Sequence, residues 1–492
     1  MLEQHLHYVE KQGIGIMYKH RIKNRLIYAC VMTTSVLLAA CNGGPELTSL
    51  AQSSETVQQS LDTSLYQDIF EERINTGQSI GLAVSIVDGD RQRIMTLGLA
   101  DIEGKVPISE DSLFEIGSIT KTFTTLILAD SVIKGEVGLD DPVSNYLPDS
   151  VKMPMFDGQE ITLRNLATHT SSLPSIPDNF NPEDPLNPYA NYTPELMYAF
   201  LSGYTLEKPV GAEVSYSNLG MGLLGHILQL QTGKSYEELV TDRILAPLNM
   251  SDSFVVVPER KKADFATGHD PAGIPTSYWD IPTLAGAGAL RSDISDMTRY
   301  LEANLGLIET PLADAMSQSH AFQQKLGEDG GYIGLGWFTE NMGGEDITWH
   351  NGGTGGFRTF LGFDPANKRG VVVLANSWDQ SDLIGQAILT NSPEALEPVT
   401  EGEGLQFTTD QLDRFVGDYQ LAPEFIIGIT REDEQLFLQA TGQPKVPIFA
   451  RSETEFYLKV VEASVVFEED NNGKIFQLIL NQGGAMLPAR KQ

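Results

Sequence analysis

A serine and a lysine three residues apart, Ser118 and Lys121, open an apolar run that extends to about Ile133 and is stopped by Gly135. That composition predicts a long apolar helix, which other elements must enclose. Positions i and i+3 lie on one helix face, so the hydroxyl and the ammonium are neighbours. A helix N-terminus also aims backbone N–H groups and the positive dipole end at developing negative charge.

The rest of the chain supplies the enclosure. A helical pattern ends near Asn75, and Gly81 to Val87 with Ile94 to Gly98 read as a hairpin around Asp88-Gly89-Asp90. Pro174 to Pro194 is a proline-rich loop, Met221 to Leu230 and Tyr236 to Leu245 have helical periodicity, and Ile347 to Trp349, Thr354 to Phe363 and Val371 to Leu374 read as antiparallel strands. A further helix starts at about Gln380. Helices at both ends of a sheet with a helical insertion between give an α+β architecture for residues 62–390. After a Pro- and Gly-bearing linker at 391–405, five strand-like runs between Phe425 and Leu480 predict a small all-β domain, barrel or sandwich, over 406–492.

The first forty residues are excluded from the fold. Lys19, Arg21, Lys23 and Arg25 precede an apolar stretch from Leu26 to Ala40, the pattern of an export signal. Leu38-Ala39-Ala40-Cys41 resembles a bacterial lipobox, so Cys41 is the expected lipidation site and residues 41–61 a tether. The expected location is therefore the periplasmic face of the outer membrane or the cell surface, with the lipid as the membrane contact. The only other cysteine, Cys30, lies within the signal, so the exported domains rely on their cores rather than a disulfide. A net charge of −33 excludes nucleic acid as a partner, because phosphate neutralisation needs Lys and Arg. The eight histidines include no H-E-x-x-H pair, and neither a metal nor a cofactor is expected.

Short motifs carry the chemistry, and each has a decoy. Ser131-Val132-Ile133-Lys134 repeats the Ser and Lys spacing, but at the wrong end of the helix. Tyr216-Ser217-Asn218 precedes an apolar helix that can hold it, whereas Tyr189-Ala190-Asn191 falls in the proline-rich loop, where rigid placement is not expected. His350-Asn351-Gly352 follows an apolar run and precedes a Gly-rich turn, whereas Lys368-Arg369-Gly370 is itself a turn. Gly77-Gln78-Ser79-Ile80-Gly81 satisfies the nucleophile-elbow pattern, but that elbow needs a strand before the serine and a helix after it, and here the order is reversed.

In this order the three motifs resemble those of the class C β-lactamase and DD-peptidase family of penicillin-recognising serine hydrolases. Thr168-His169-Thr170-Ser171-Ser172-Leu173-Pro174, Pro247-Leu248-Asn249-Met250 and Gly334-Leu335-Gly336-Trp337 extend the resemblance from about Ser64 to Ile388. The tail beyond Leu405 resembles the lipocalin-like domain appended to some members. The resemblance implies Ser118 as nucleophile and Lys121 and Tyr216 as the proton-handling pair. It further implies that Asn218 binds the substrate amide and that the N–H groups of Ser118 and Gly353 form the oxyanion hole. His350, Asn351 and Gly352 would form the substrate-binding strand, and His169 a buried hydrogen-bonding residue.

His350 and Asn351 depart from the usual Lys and Thr that hold a substrate carboxylate, and Arg358 is the candidate to compensate. The expected activity is hydrolysis of a peptide, amide or ester through an acyl-enzyme, with weak β-lactam turnover. The alternative is a lipoprotein that binds penicillin or cell-wall peptide with little turnover. An oligomer contact through the C-terminal domain is left open.

Overall fold

Residues far apart in the chain share one sheet, because beyond the short strand at 106–107 the strands at 81–101 find their next partner only at residue 369. The computed structural model describes residues 63–396, except 328–329, and 407–492, except 423–424, 442, 444, 451, 453, 459–462, 470–472 and 483–484. The signal segment with Cys41, the tether and the linker from residue 397 onward lie outside the described residues.

The nine strands are β1 (Gly81–Asp88), β2 (Arg91–Asp101), β3 (Val106–Pro107), β4 (Gln324–Lys325), β5 (Tyr332–Ile333), β6 (Phe338–Met342), β7 (Glu345–Gly353), β8 (Arg358–Asp364) and β9 (Arg369–Ala375). Their spatial order is β3-β2-β1-β9-β8-β7-β6-β5-β4. The first hairpin joins the last three strands where β1 pairs antiparallel with β9, Val84 opposite Val373.

Five helices matter for the site: α1 (Thr63–Asn75), α2 (Thr120–Ile133), α3 (Asn218–Thr232), α4 (Ile294–Asn304) and α5 (Ser381–Leu389). Alternate residues of a strand face opposite sides of a sheet, and here both sides are covered. Leu82, Val84 and Ile86 of β1 join Val371 and Val373 of β9 in a core with Tyr66 and Phe70 of α1 and Ile384 and Ile388 of α5. Ala83 and Val87 join Val372 and Leu374 in the larger core that encloses α2, α3 and α4. This double burial explains why β1 and β9 read as nearly continuous apolar runs. Every residue of α2 from Thr120 to Ser131 is buried, as its composition requires.

The expected α+β architecture is the observed one, with local differences. The α-helix begins at Thr120, after a 3-10 turn at Gly117–Ile119 that carries Ser118. The strand expected from Thr354 starts instead at Arg358, because Thr354 to Phe357 turn back on themselves through Thr354 N–H to Phe357 O. The α-helix at Tyr236–Val240 passes into a π-turn at Thr241–Leu245.

The C-terminal segment is a closed barrel of eight strands, from Gly417–Ala422 to Ala485–Lys491, so the choice between barrel and sandwich falls to the barrel. Phe415, Tyr419, Phe456 and Phe467 pack against one another in its core. Three of its strands, including Val446–Ala450 and Ala485–Lys491, were not expected. Pro447 and Pro488 sit within those two runs, and proline speaks against a strand in any sequence reading. Among the described residues no helix is long and apolar enough to cross a membrane.

Candidate active site

The turn carrying Ser118 and the end of strand β7 touch through their glycines. A Cβ on Gly352 would lie 2.0 Å from Ile116 O, and one on Gly117 would lie 2.7 Å from Gly353 N. Only glycine permits that approach, and Gly117 also needs it for its φ of +51°. Thr359 Oγ1 on β8 donates to Ile116 O at 3.0 Å and ties the sheet to the same turn.

Lys121, fully buried on the first turn of α2, reaches from this turn toward helix α3. Its Nζ lies 2.8 Å from Ser118 Oγ, 2.8 Å from Asn218 Oδ1 and 2.7 Å from Ala287 O. Asn218 opens α3 because Ser217 caps it, accepting from Gly220 N–H at 2.8 Å. The same Nζ sits 4.8 Å from the ring centroid of Tyr216. Residues from two separate motifs, with the Ala287 carbonyl, thus converge on one ammonium.

Tyr216 is clamped by His169. The carbonyl of His169 accepts from Ser215 N–H at 2.7 Å, and its Nδ1 accepts from Ser217 N–H at 3.2 Å, one residue either side of the tyrosine. Its ring lies 4.4 Å from that of Tyr216. His169 holds a left-handed φ of +56° to do this. Burial first, then Lys121 and His350, push its pKa well below the usual histidine value, so it stays neutral. It is the buried hydrogen-bonding residue expected from the sequence.

His350 faces Tyr216 from the sheet at a ring separation of 6.3 Å. Burial, then the Lys121 charge, lowers its pKa to about 3. Its Nδ1 donates to Asn351 O at 2.6 Å, which leaves Nε2 as a buried acceptor without a hydrogen-bond partner. Asn351 donates from its amide to Asp382 Oδ2 at 2.7 Å. Arg358 stacks its guanidinium 3.5 Å over the Trp378 ring and donates through Nη1 to Thr354 O and Phe357 O at 2.8 Å each. Burial lowers its pKa to about 10, still cationic at neutral pH, and its Nη1 lies 2.9 Å from where a Cβ on Gly353 would stand. Arg358 therefore braces the Gly353 turn from behind.

The decoys fall elsewhere. Ser131 is buried at the far end of α2, and Lys134 pairs with Asp130. Ser79 is buried and bonded to Asp379, which also holds Arg73, and it follows a helix and precedes a strand. Tyr189 departs from expectation. It packs at 5.4 Å against Trp279 and lines the pocket beside Ser118, together with Asn218, Gly353 and Thr354. Trp279 and Ala287 also face this pocket, and no local pattern in the sequence points to either.

The family model described as Beta-lactamase matches residues 66–390. The chain belongs to the beta-lactamase family. It is 30% identical over 332 residues to a Beta-lactamase of Pseudomonas fluorescens, covering 60% of this chain and 88% of that protein. It is 29% identical over 362 residues to the D-alanyl-D-alanine-carboxypeptidase/endopeptidase AmpH of Escherichia coli (strain K12), covering 70% and 91%. A solved structure described as a class C beta-lactamase superposes with a TM-score of 0.59 at 26% identity, over 68% of this chain and 96% of that one. Residues 406–487 match a domain of unknown function (DUF3471). The chain is thus a beta-lactamase-family serine hydrolase of the class C and DD-peptidase type.

Proposed function

We propose that this family member hydrolyses a peptide, amide or ester through an acyl-enzyme on Ser118. The observation that carries the reading is the Lys121 ammonium placed between Ser118 Oγ, Asn218 Oδ1 and Ala287 O. Once Lys121 has released one proton to solvent, its amine keeps two N–H bonds for Asn218 and Ala287 and turns its lone pair to the serine proton. Ser118 Oγ then bonds to the substrate carbonyl carbon, and the carbonyl oxygen takes the negative charge beside the N–H groups of Ser118 and Gly353. Such donors act through preorganisation, since they need no rearrangement when the charge develops. As the bond to the leaving group breaks, Tyr216 delivers the proton to the departing nitrogen or oxygen. Water then attacks the ester on Ser118, giving its proton to the same pair, which passes it to Ser118 Oγ as the bond to the acyl carbon breaks and the acid leaves.

The site's charge supports an uncharged leaving side. A neutral His350 with its N–H turned to Asn351 O offers a carboxylate nothing to bind, while Asn351 and Arg358 are engaged elsewhere. Esters and amides without a neighbouring carboxylate are therefore preferred over β-lactams and D-Ala-D-Ala peptides. Incubation with p-nitrophenyl acetate and with a fluorescent penicillin tests this. Rapid ester turnover with slow penicillin labelling is expected; stable penicillin labelling without ester turnover would favour the binding lipoprotein instead. Anchoring through Cys41 at the outer membrane or cell surface is part of the proposal and rests on the lipobox-like run.

A further inference from the structure

Trp279 is held where it can limit what the serine accepts. Its N–H donates to Glu115 Oε1 at 2.8 Å, and its carbonyl accepts from Arg291. Glu115 and Arg291 form a buried ion pair across the short strand pair Phe114–Glu115 and Arg291–Ser292, directly before the serine turn. The proline-rich loop is tied to the same segment: Asn187 and Asp280 exchange hydrogen bonds at 2.9 and 2.7 Å, and Thr283 Oγ1 donates to Tyr192 O at 2.5 Å. These ties set Tyr189 against the Trp279 indole. A Cβ on Gly355 would come within 3.0 Å of the indole Nε1, so the turn after Gly353 leaves the indole just enough room.

The space left beside Ser118 is small. Its cavity is about 40 Å³, where a void that holds benzene has about 150 Å³ and one water needs at least ~10–15 Å³. The pocket lies beside Gly353 and Asn218, and neither Tyr216 nor His350 lines it. A leaving group must sit against its proton donor, so on the reading proposed above this pocket receives the acyl portion. We infer that Trp279, backed by Tyr189, closes the acyl pocket and restricts the substrate to short acyl groups, such as acetyl or alanyl. Neither residue handles a proton; both act by occupying volume.

A series of p-nitrophenyl esters from acetyl to octanoyl tests this, since the leaving group stays constant. Where a methylene finds apolar room, kcat/KM rises about three- to fourfold per carbon; here it should fall beyond propionyl or butyryl. In Trp279→Ala the hexanoyl-to-acetyl ratio of kcat/KM should rise at least about tenfold, with a smaller rise in Tyr189→Ala. Replacing p-nitrophenol by other alcohols should leave the variants' relative rates unaltered. A wild-type protein that cleaves octanoyl as fast as acetyl esters overturns the inference even if no variant folds, as does an unchanged ratio in folded Trp279→Ala. Absence of any acyl adduct on Ser118 with every ester would instead overturn the acyl-enzyme reading beneath it.

Discussion

Replacing Gly117 by Ala should disable catalysis without touching any reactive side chain. The added Cβ would stand 2.7 Å from Gly353 N and 2.9 Å from Gly353 O, whereas ordinary contacts begin at 3.4 Å. The backbone bearing the proposed oxyanion donor must therefore retreat by about 0.7 Å, the difference between those contacts. Misplacement on the order of 1 Å costs about 10²-fold, and loss of an oxyanion donor about 10²–10³ in kcat. Alanine at φ +51° also costs roughly 1–2 kcal/mol of stability. Gly77→Ala supplies a control with the same strain, since Gly77 has φ +72° and nothing within 4 Å of its Cβ position. Gly77→Ala should lose thermal stability through the strain alone and Gly117→Ala somewhat more through the added contact, but only Gly117→Ala should lose about 10²-fold in kcat on p-nitrophenyl acetate with KM little altered. If kcat of Gly117→Ala stays within about threefold of the control, the contact between the serine turn and β7 does not position the oxyanion hole.

Other substitutions probe the remaining links. Asn218→Ala removes one of the acceptors that hold the Lys121 ammonium and should lower kcat/KM by about 10²-fold, measured with the same ester. His350→Lys should raise the rate of penicillin acylation relative to ester acylation by at least about tenfold; an unchanged ratio would mean that position 350 does not read the leaving side's charge. Burial keeps His350 neutral in the folded protein, while the unfolded chain takes up a proton below pH 6.5, so His350 makes stability fall as the pH drops toward 3. His350→Gln should therefore gain about 2 kcal/mol on the wild type between pH 6.5 and 5, read by urea unfolding; parallel curves would contradict the shift. Arg73→Ala leaves Asp379 buried without its cation and should cost about 3–5 kcal/mol.

Legibility in the sequence followed physical locality. Ser118 and Lys121 were readable because one helical turn joins them, and Tyr216 and Asn218 because a capped helix starts at the latter. β1 and β9 were readable as strands since burial on both faces makes their apolar runs nearly continuous, yet nothing local says that Val84 lies opposite Val373. Trp279 was invisible for the same reason. Its place depends on Glu115 and Arg291, and the 176 positions between those two leave no periodic trace. Tyr189 was discounted because prolines around it suggested an unfixed loop, but the reciprocal bonds of Asn187 and Asp280 fix it from 93 positions away. Arg358 carried the right charge for a carboxylate, whereas the Trp378 ring and two carbonyls take up its guanidinium. In the barrel, Pro447 and Pro488 hid two strands whose pairing tolerates them.

The most direct test is to locate the acyl group. The protein is quenched in acid during turnover of p-nitrophenyl acetate, digested, and mapped by mass spectrometry. The account predicts an added acetyl on Ser118, absent in Ser118→Ala, together with a loss of turnover of at least about 10⁴-fold in that variant. An acetyl group on another residue such as Ser79, or full turnover in Ser118→Ala, would contradict it.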